Sequence, residues 1–450
     1  MKEKKVPDEI PVKKLKDWMA AKNLSLTEAA ARIGVSNSLF SLWIKENSAR
    51  AIPNKYMQII ASLDEIDGIA AIEKKNRLYS EIIACSKQQL CFIVSDLNID
   101  ELKHFQPGNE KGKDESLQIG GGAYYVSKAA IQNLFIPIIF STIGQQDEDG
   151  DKIIAALKNN KIVTSLIEKN PEFGTSTCSI TFMNNDKDTT HLYEKHCNDF
   201  SIECLANAIR MINADIIFLH GFRLHRYLRK INIEIQKGGV TGAEKDEEKK
   251  QYINNFMNAL VHGKEGRGGK IVFDIAPSKC YENISLDQIS MVIKESDVVI
   301  AELGTLLGFI KNSNLKLSNE LKKDIEVDLK EPHINHSIAD NQYKEYRNVI
   351  AQNFLGPKDG DVLIIRYGKG QVDYELILRR NSVNGYDILS DLSNEEKGLF
   401  TGYSKKPENE KLGSGDILTF KFLKMYFKKE ENPWELKKFR ENYQNLITKF

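Results

Sequence analysis

The sequence predicts an α/β protein that carries a small all-α domain at its N-terminal end. Three observations predict it. Short apolar runs of the kind that form strands buried on both faces recur between residues 90 and 370. Helical apolar patterns alternate with those runs, and the first 65 residues hold helix signals alone. At 450 residues the chain is long enough for two or three domains.

The helices of the head are punctuated clearly. Val12, Leu15, Trp18 and Met19 follow Pro11 at helical spacing. Ser25 and Glu28 form an S-x-x-E capping box ahead of TEAAARI, and Gly34 stands where a C-terminal cap is needed. Ser36 then caps a third segment, 37–45, with Leu39, Leu42 and Trp43 inward and Asn37, Ser38, Ser41 and Lys45 outward. A fourth helix is expected from Pro53, with Tyr56, Ile59, Ile60 and Leu63 as its apolar stripe. Helix, short turn and helix together make a helix-turn-helix. Residues 1–62 hold eleven Lys/Arg against six Asp/Glu, so a basic head precedes a mildly acidic body although the whole chain balances at 63 of each.

Residues 66–89 read as a connecting helix, and the large domain, 90–450, begins after it. Its expected strands are LCFIVSDL, IPIIFSTIG, ADIIFLHGF, GKIVFDIAP, SDVVIAEL and DVLIIRYG. YYVSKAAIQNL, DKIIAALKNN and SIECLANAIRMI are the helices between them, so a mostly parallel sheet covered on both faces is predicted. Residues 223–269, with AEKDEEKKQ and GKEGRGG, and residues 311–358 are expected to be insertions, the first of them solvated.

Composition narrows the function classes. The longest apolar stretch, 134–140, is far shorter than the ~20 residues that span a bilayer. MKEKKVPDEI lacks the apolar core of an export signal, so a cytoplasmic protein is expected. Six scattered cysteines do not form a disulfide scaffold. His191, His196 and Cys197 have a spacing that suits neither a helix face nor a zinc finger.

The segment richest in chemistry is KLGSGDILTFKFLKMYF. Gly413, Ser414 and Gly415 precede Asp416 and an apolar helix. Backbone N–H groups converging at a helix N-terminus suit a phosphate or a developing anion, and Asp416 beside them is a candidate general base. Upstream, Gly120, Gly121 and Gly122 precede another helix and let a ligand approach the backbone, or simply make a tight turn. Asn98 and Asp100 follow the first strand's carboxyl end, the edge where open α/β sheets bind ligands.

Two resemblances follow from these motifs. Residues 1–65 are similar to the Cro/repressor-like helix-turn-helix domains. That similarity implies a DNA-binding surface of Ser36, Asn37, Ser38 and Lys45, in which Asn37 and Ser38 reach base edges in the major groove and Lys45 and Arg50 meet phosphates, and a protein that binds DNA as a homodimer. A docking or dimerisation bundle is the other reading of the head. Residues 90–427 resemble the ribokinase-like, or PfkB, family of carbohydrate and nucleoside kinases. SDLNID, IGGGAYYVSKAAIQNL, IGQQDEDGDKIIAALK, VFDIAP, VLIIRYGKG and GSGD occur in the family's order.

The second resemblance implies a three-layer fold with a small β lid that includes residues 175–182, and ATP with Mg2+ as cofactors. It makes Asp416 the base and Gly413, Ser414 and Gly415 the anion hole. Asn98, Asp100, Gly120, Gly121 and Gly122 would hold a sugar or nucleoside, and Gly368, Lys369 and Gly370 the nucleotide. Two departures stand out. Glu302-Leu303-Gly304-Thr305 replaces the family's Asn-x-x-Glu, which leaves Glu302 as the candidate metal residue, and Tyr124, Tyr125 and Val126 crowd the place of a sugar-binding Asn. Two functions are therefore expected: a kinase fused to a DNA-binding head, or a regulator whose kinase-like domain senses a sugar, nucleoside or nucleotide.

Overall fold

The computed structural model describes residues 9–21, 25–33, 35, 37–45, 89–106, 109–145, 147–170, 174–183, 186–188, 202–212, 214–220, 242–264, 269–275, 285–330, 338–369, 372–383, 385–393 and 414–426. Two compact units divide the chain, Met1–Ser80 and Glu81–Phe450.

In the first unit α1 (Glu9–Ala21), α2 (Leu26–Ile33) and α3 (Asn37–Ile44) enclose Leu15, Trp18, Ala29, Ala30, Phe40 and Trp43. The Val35 N–H donates to the Ala30 carbonyl at 3.0 Å, a six-to-one bond that closes α2 and turns the chain toward α3. The inward face of α3 differs from the expected one. Phe40 and Trp43, one turn apart with ring centroids 6.2 Å apart, fill the core, while Leu42 is 39% exposed. A helix cannot bury both 42 and 40, which point some 200° apart, and the larger aromatic ring takes the interior. Ser36, Arg50, the fourth helix and the connecting segment 66–88 lie outside the described residues.

The second unit is built on a nine-stranded sheet in the order β13-β12-β11-β10-β9-β8-β1-β4-β5. Its strands are β1 (Gln89–Val94), β4 (Phe135–Gly144), β5 (Ile167–Asn170), β8 (Ile216–His220), β9 (Lys270–Ile275), β10 (Val298–Glu302), β11 (Val362–Lys369), β12 (Val372–Asn381) and β13 (Gly385–Ser393). From β11 to β5 every pairing is parallel, and β12 and β13 add an antiparallel edge. A separate sheet, in the order β3-β2-β6-β7, joins β2 (Asn98–Gln106), β3 (Asn109–Gly120), β6 (Ser176–Met183) and β7 (Asp186–Asp188).

One face of the large sheet is covered by α4 (Gly122–Gln132), α5 (Glu148–Asn159) and α12 (Ser414–Tyr426). Asp147 caps α5, its carboxylate accepting from the Asp149 and Thr175 N–H groups, so the turn after β4 is tied to the start of β6. The remaining layer runs α6 (Ile202–Met211), α7 (Gly242–Lys264), α8 (Leu286–Glu295) and α11 (Lys344–Phe354), each against the next, and α9 (Leu303–Lys311) packs on α10 (Asn319–Lys330). Among the described residues no helix is long and apolar enough to cross a membrane.

The two stretches expected as insertions contain working parts of this layered plan. Within 223–269, α7 buries Ile253, Phe256, Met257 and Leu260, and it is the crossover between β8 and β9. Within 311–358, α11 buries Tyr346, Ile350, Ala351 and Phe354 ahead of β11. The charged first half of α7 and the polar neighbours of the core residues in α11 hide narrow apolar stripes from a composition reading. Residues 223–241 lie outside the described residues.

α12 is fixed by aromatic packing. Phe420 is fully buried, stacked on Phe218 at 5.7 Å and edge-on to Phe135 at 5.5 Å. Replacing it by alanine leaves a cavity between α12 and two strands, so Phe420→Ala is expected to cost ~3–5 kcal/mol in urea unfolding. A loss below ~1 kcal/mol would show that α12 is held by other means.

Candidate functional site

The site grows out of the alternation of the sheet. On the face toward α4 and α12, apolar side chains follow one another along each strand: Cys91 and Ile93, Ile216 and Phe218, Val272, Val298 and Ile300, Val362 and Ile364. The next residue of the same parity is polar in each of these five strands, namely Ser95, His220, Asp274, Glu302 and Arg366. Register sets them in two groups, His220 beside Asp274, and Glu302 beside Arg366 with Arg366 beside Glu375 of β12, while Asp274 is level with Ile300, two residues before Glu302. A polar row thus runs across the carboxyl ends of the strands, the edge at which open α/β sheets take ligands.

Two helix N-termini approach this edge. The first belongs to α4, which begins at the glycine turn. Gly121 has φ 87°, a left-handed conformation, and a Cβ there would lie 2.4 Å from the Asp96 carbonyl oxygen and 2.5 Å from Asn98 Oδ1. Gly122 abuts Ser95 and His220, a Cβ at that position reaching within 2.5 Å of Ser95 Oγ. The turn therefore needs glycine for both conformation and room, and it brings the Asn98 strand and the His220 strand together.

Asn98 and Asp100, both 2% exposed, open β2 directly after β1. Their side chains are joined, Asn98 Nδ2 donating to Asp100 Oδ1. The second carboxylate oxygen accepts from Tyr125 Oη at 2.7 Å, and that phenol accepts from Gln118 Nε2 at 3.1 Å. Gly120 lies against the same carboxylate, where a Cβ would come within 2.0 Å of Asp100 Cγ. Burial and the nearby Asp100 carboxylate hold the Tyr125 phenol well above its usual range, so it stays a donor.

The second N-terminus belongs to α12. Ser414 and Gly415 open the helix and Asp416 sits in its first turn, half-buried, while Gly413 lies outside the described residues. Removal from water pushes the Asp416 carboxyl up to about 7, against the opposing pull of Arg366. Asp274 is pushed further, to about 8, by burial first and then by the Asp416 and Glu302 carboxylates, again opposed by Arg366. Arg366 also holds the helix. Its Nε pairs with Glu375 Oε2 at 3.0 Å, and its Nη2 donates to Thr419 Oγ1, one turn beyond Asp416, at 2.9 Å.

Gly368 and Lys369 continue β11 past Arg366 into the hairpin with β12, opposite Asp373 and Val372, and Gly370 lies outside the described residues. Among the described residues no three His, Cys, Asp or Glu side chains form a metal cage. Glu302 is exposed at the carboxyl end of β10, where it stands beside Arg366.

His220, Asp274, Arg366 and Glu375 were not singled out in the sequence, and Tyr125 was noted there only as crowding the glycine turn. Four of them interrupt or end an apolar strand with a polar side chain, visible in FLHGF, VFDIAP, IIRYG and YELIL. A polar residue at the same step of successive strands was the signal.

No family model and no curated protein matches the chain. Among solved structures it is similar in outline to an uncharacterized sugar kinase from Pyrococcus horikoshii, with TM-score 0.49, 15% identity, and coverage of 80% of this chain and 91% of that one. A ribokinase from Giardia lamblia gives TM-score 0.45, 10% identity and coverage of 80% and 90%. A fructokinase from Vibrio cholerae gives TM-score 0.45, 13% identity and coverage of 80% and 95%.

Two tests probe this geometry. Gly121→Ala forces a side chain onto the Asp96 carbonyl at positive φ and is expected to cost at least ~1–3 kcal/mol in denaturant unfolding. Asp274 has a carboxyl raised from 3.8 to about 8 on folding, so the folded state binds the proton more tightly than the unfolded one. Its contribution is present below about 4 and is lost as pH rises through about 8. Asp274→Asn should therefore gain stability relative to wild type progressively from pH 4 to pH 8, read as the difference in urea midpoint. A difference that does not change with pH would contradict the assignment.

Proposed function

We propose that the α/β unit is a PfkB-like kinase that transfers the γ-phosphoryl group of ATP to a hydroxyl of a sugar or nucleoside. The observation that carries this reading is Asp416. It is a carboxylate in the first turn of a buried helix, above a polar row, with its proton affinity raised toward neutrality. A base of that strength takes the proton of a substrate alcohol as the alcohol attacks phosphorus. The backbone N–H groups at the start of α12, those of Gly413, Ser414 and Gly415, would meet the charge gathering on the transferred group.

Phosphoryl transfer asks a protein chiefly for positioning and electrostatic stabilisation. Arg366 supplies the positioning by fixing α12 to β11 through Thr419. Asn98, Asp100, Gly120, Gly121 and Gly122 form the acceptor end, and Gly368, Lys369 and Gly370 the nucleotide end. Mg2+ fits a site of this kind without a protein cage, because the ion commonly rests on one or two carboxylates and the phosphates themselves. Glu302 would hold it, and the ion would neutralise phosphate charge.

For the head we propose DNA binding as a homodimer, with Ser36, Asn37, Ser38 and Lys45 toward DNA. Ser38 on α3 and Lys45 just after its last residue are exposed, opposite the Phe40–Trp43 core. The amide of Asn37 is engaged with Thr27 Oγ1 at 3.0 Å, so it would have to leave that partner to read a base. One observation favours the second reading, a ligand-sensing regulator. Both oxygens of Asp100 already have partners within the protein.

The test is ADP formation by the full chain with MgATP and a panel of pentoses, hexoses and nucleosides. Asp416→Asn is expected to lower turnover by ~10²–10⁴-fold while a labelled duplex binds as before. Because the base must be ionised, turnover should rise with pH up to about 7 and then level. Unchanged turnover in Asp416→Asn would overturn the catalytic assignment. Duplex binding measured by anisotropy should weaken in Lys45→Ala, with the slope of log affinity against log salt falling by about one. Identical slopes would remove Lys45 from the interface.

A further inference from the structure

We infer that Tyr125 is a specificity-determining residue that closes the acceptor end of the site to vicinal diols and admits an alcohol carried on a flat, diol-free framework. The inference rests on the kinase reading for the location of the acceptor end, and it deepens that reading by naming a class of acceptor.

A carboxylate captures a vicinal diol by accepting one hydroxyl at each oxygen. Asp100 is the carboxylate at the right edge of the sheet, but neither oxygen is open. Oδ1 takes the Asn98 amide and Oδ2 takes the Tyr125 phenol at 2.7 Å. The remaining lone pairs have no approach, since Gly120 lies against the carboxylate and the residue is 2% exposed. Asn98, equally buried, is spent on the same bond.

Tyr125 is held in this position. Its oxygen accepts from Gln118 Nε2 at 3.1 Å, and its ring lies edge-on to Tyr124 with centroids 5.5 Å apart. Tyr124 is held in turn by the Lys128 ammonium 5.3 Å from its ring centroid. Within the network Asn98 and Asp100 are buried, whereas Tyr125 and Gln118 are half-buried and reach solvent. A ligand at this end therefore meets an aromatic ring and an amide before it meets a carboxylate. An aromatic surface favours a planar partner, and a diol would leave its donors unmatched there.

Adenosine and 2′,3′-dideoxyadenosine separate the two chemistries, because they share the base and the hydroxymethyl group and differ in the diol alone. Calorimetric titration of the full-length protein is expected to show tighter binding of the dideoxy compound in wild type. Tyr125→Phe uncovers Asp100 Oδ2 and should move the ratio of the two dissociation constants at least about tenfold toward adenosine, the scale set by a hydroxyl gaining a polar partner. Gln118→Ala removes only the amide that holds the phenol and should move the ratio in the same direction by a smaller factor.

A wild-type preference for adenosine, an unmoved ratio in Tyr125→Phe, or a Tyr125→Phe protein that melts normally and binds neither compound would each overturn the inference. ADP formation measured on the same samples keeps the two readings apart. A ratio that moves without turnover sinks the kinase and leaves Tyr125 its role, whereas turnover with an unmoved ratio does the reverse.

Discussion

The structure depends on a change of polarity that is stepped across neighbouring strands of the sheet. Along the face toward α4 and α12 the strands are apolar until their carboxyl ends. There Ser95, His220, Asp274, Glu302 and Arg366 replace the core. Polar groups at that depth are costly unless they are paired or kept neutral. The protein uses both remedies. Arg366 joins Glu375 and Thr419, and burial raises the Asp274 and Asp416 carboxyls toward or above neutrality, with like charges adding to the rise at Asp274. Chemistry at this edge is a consequence of that constraint, because the same desolvation that penalises a carboxylate makes it a stronger base.

What brings a base to the row is the packing of α12. Phe420 fills the space between Phe218 and Phe135, and Arg366 ties Thr419 to the edge strands, so the helix is held at two adjacent residues. Asp416 precedes both anchors on the same helix. The opposite wall is organised by steric exclusion. Gly120, Gly121 and Gly122 leave no space for a side chain against Asp100, Asp96, Asn98 and Ser95, the close approach on which the proposed acceptor end is built.

Much of this was legible in the sequence, and the reasons differ from element to element. The buried strands stand out because a strand covered on both faces must be continuously apolar, as in LCFIV and VLIIR. The Gly120–Gly122 turn and GSGD were legible because close backbone approach and helix N-termini restrict residue choice. The crossover helices α7 and α11 were not, since charge in α7 and polar neighbours in α11 obscure the residues that face the core. Nor was the Asp100–Tyr125 bond, which joins residues 25 positions apart through a turn whose geometry only the fold supplies. His220, Asp274 and Arg366 were missed for a related reason: one polar residue ending a strand is unremarkable until the register sets it beside its neighbours.

The most direct test of the account is a carboxyl 13C titration of the aspartates in the intact protein, with Asp274→Asn and Asp416→Asn to assign the signals. The expected result is Asp416 titrating near 7 and Asp274 near 8, both well above the ordinary 3.8 and above Asp361 near 6. If both titrate near the ordinary value of 3.8, the polar row is well solvated, Asp416 has no raised basicity, and the proposed catalytic edge fails.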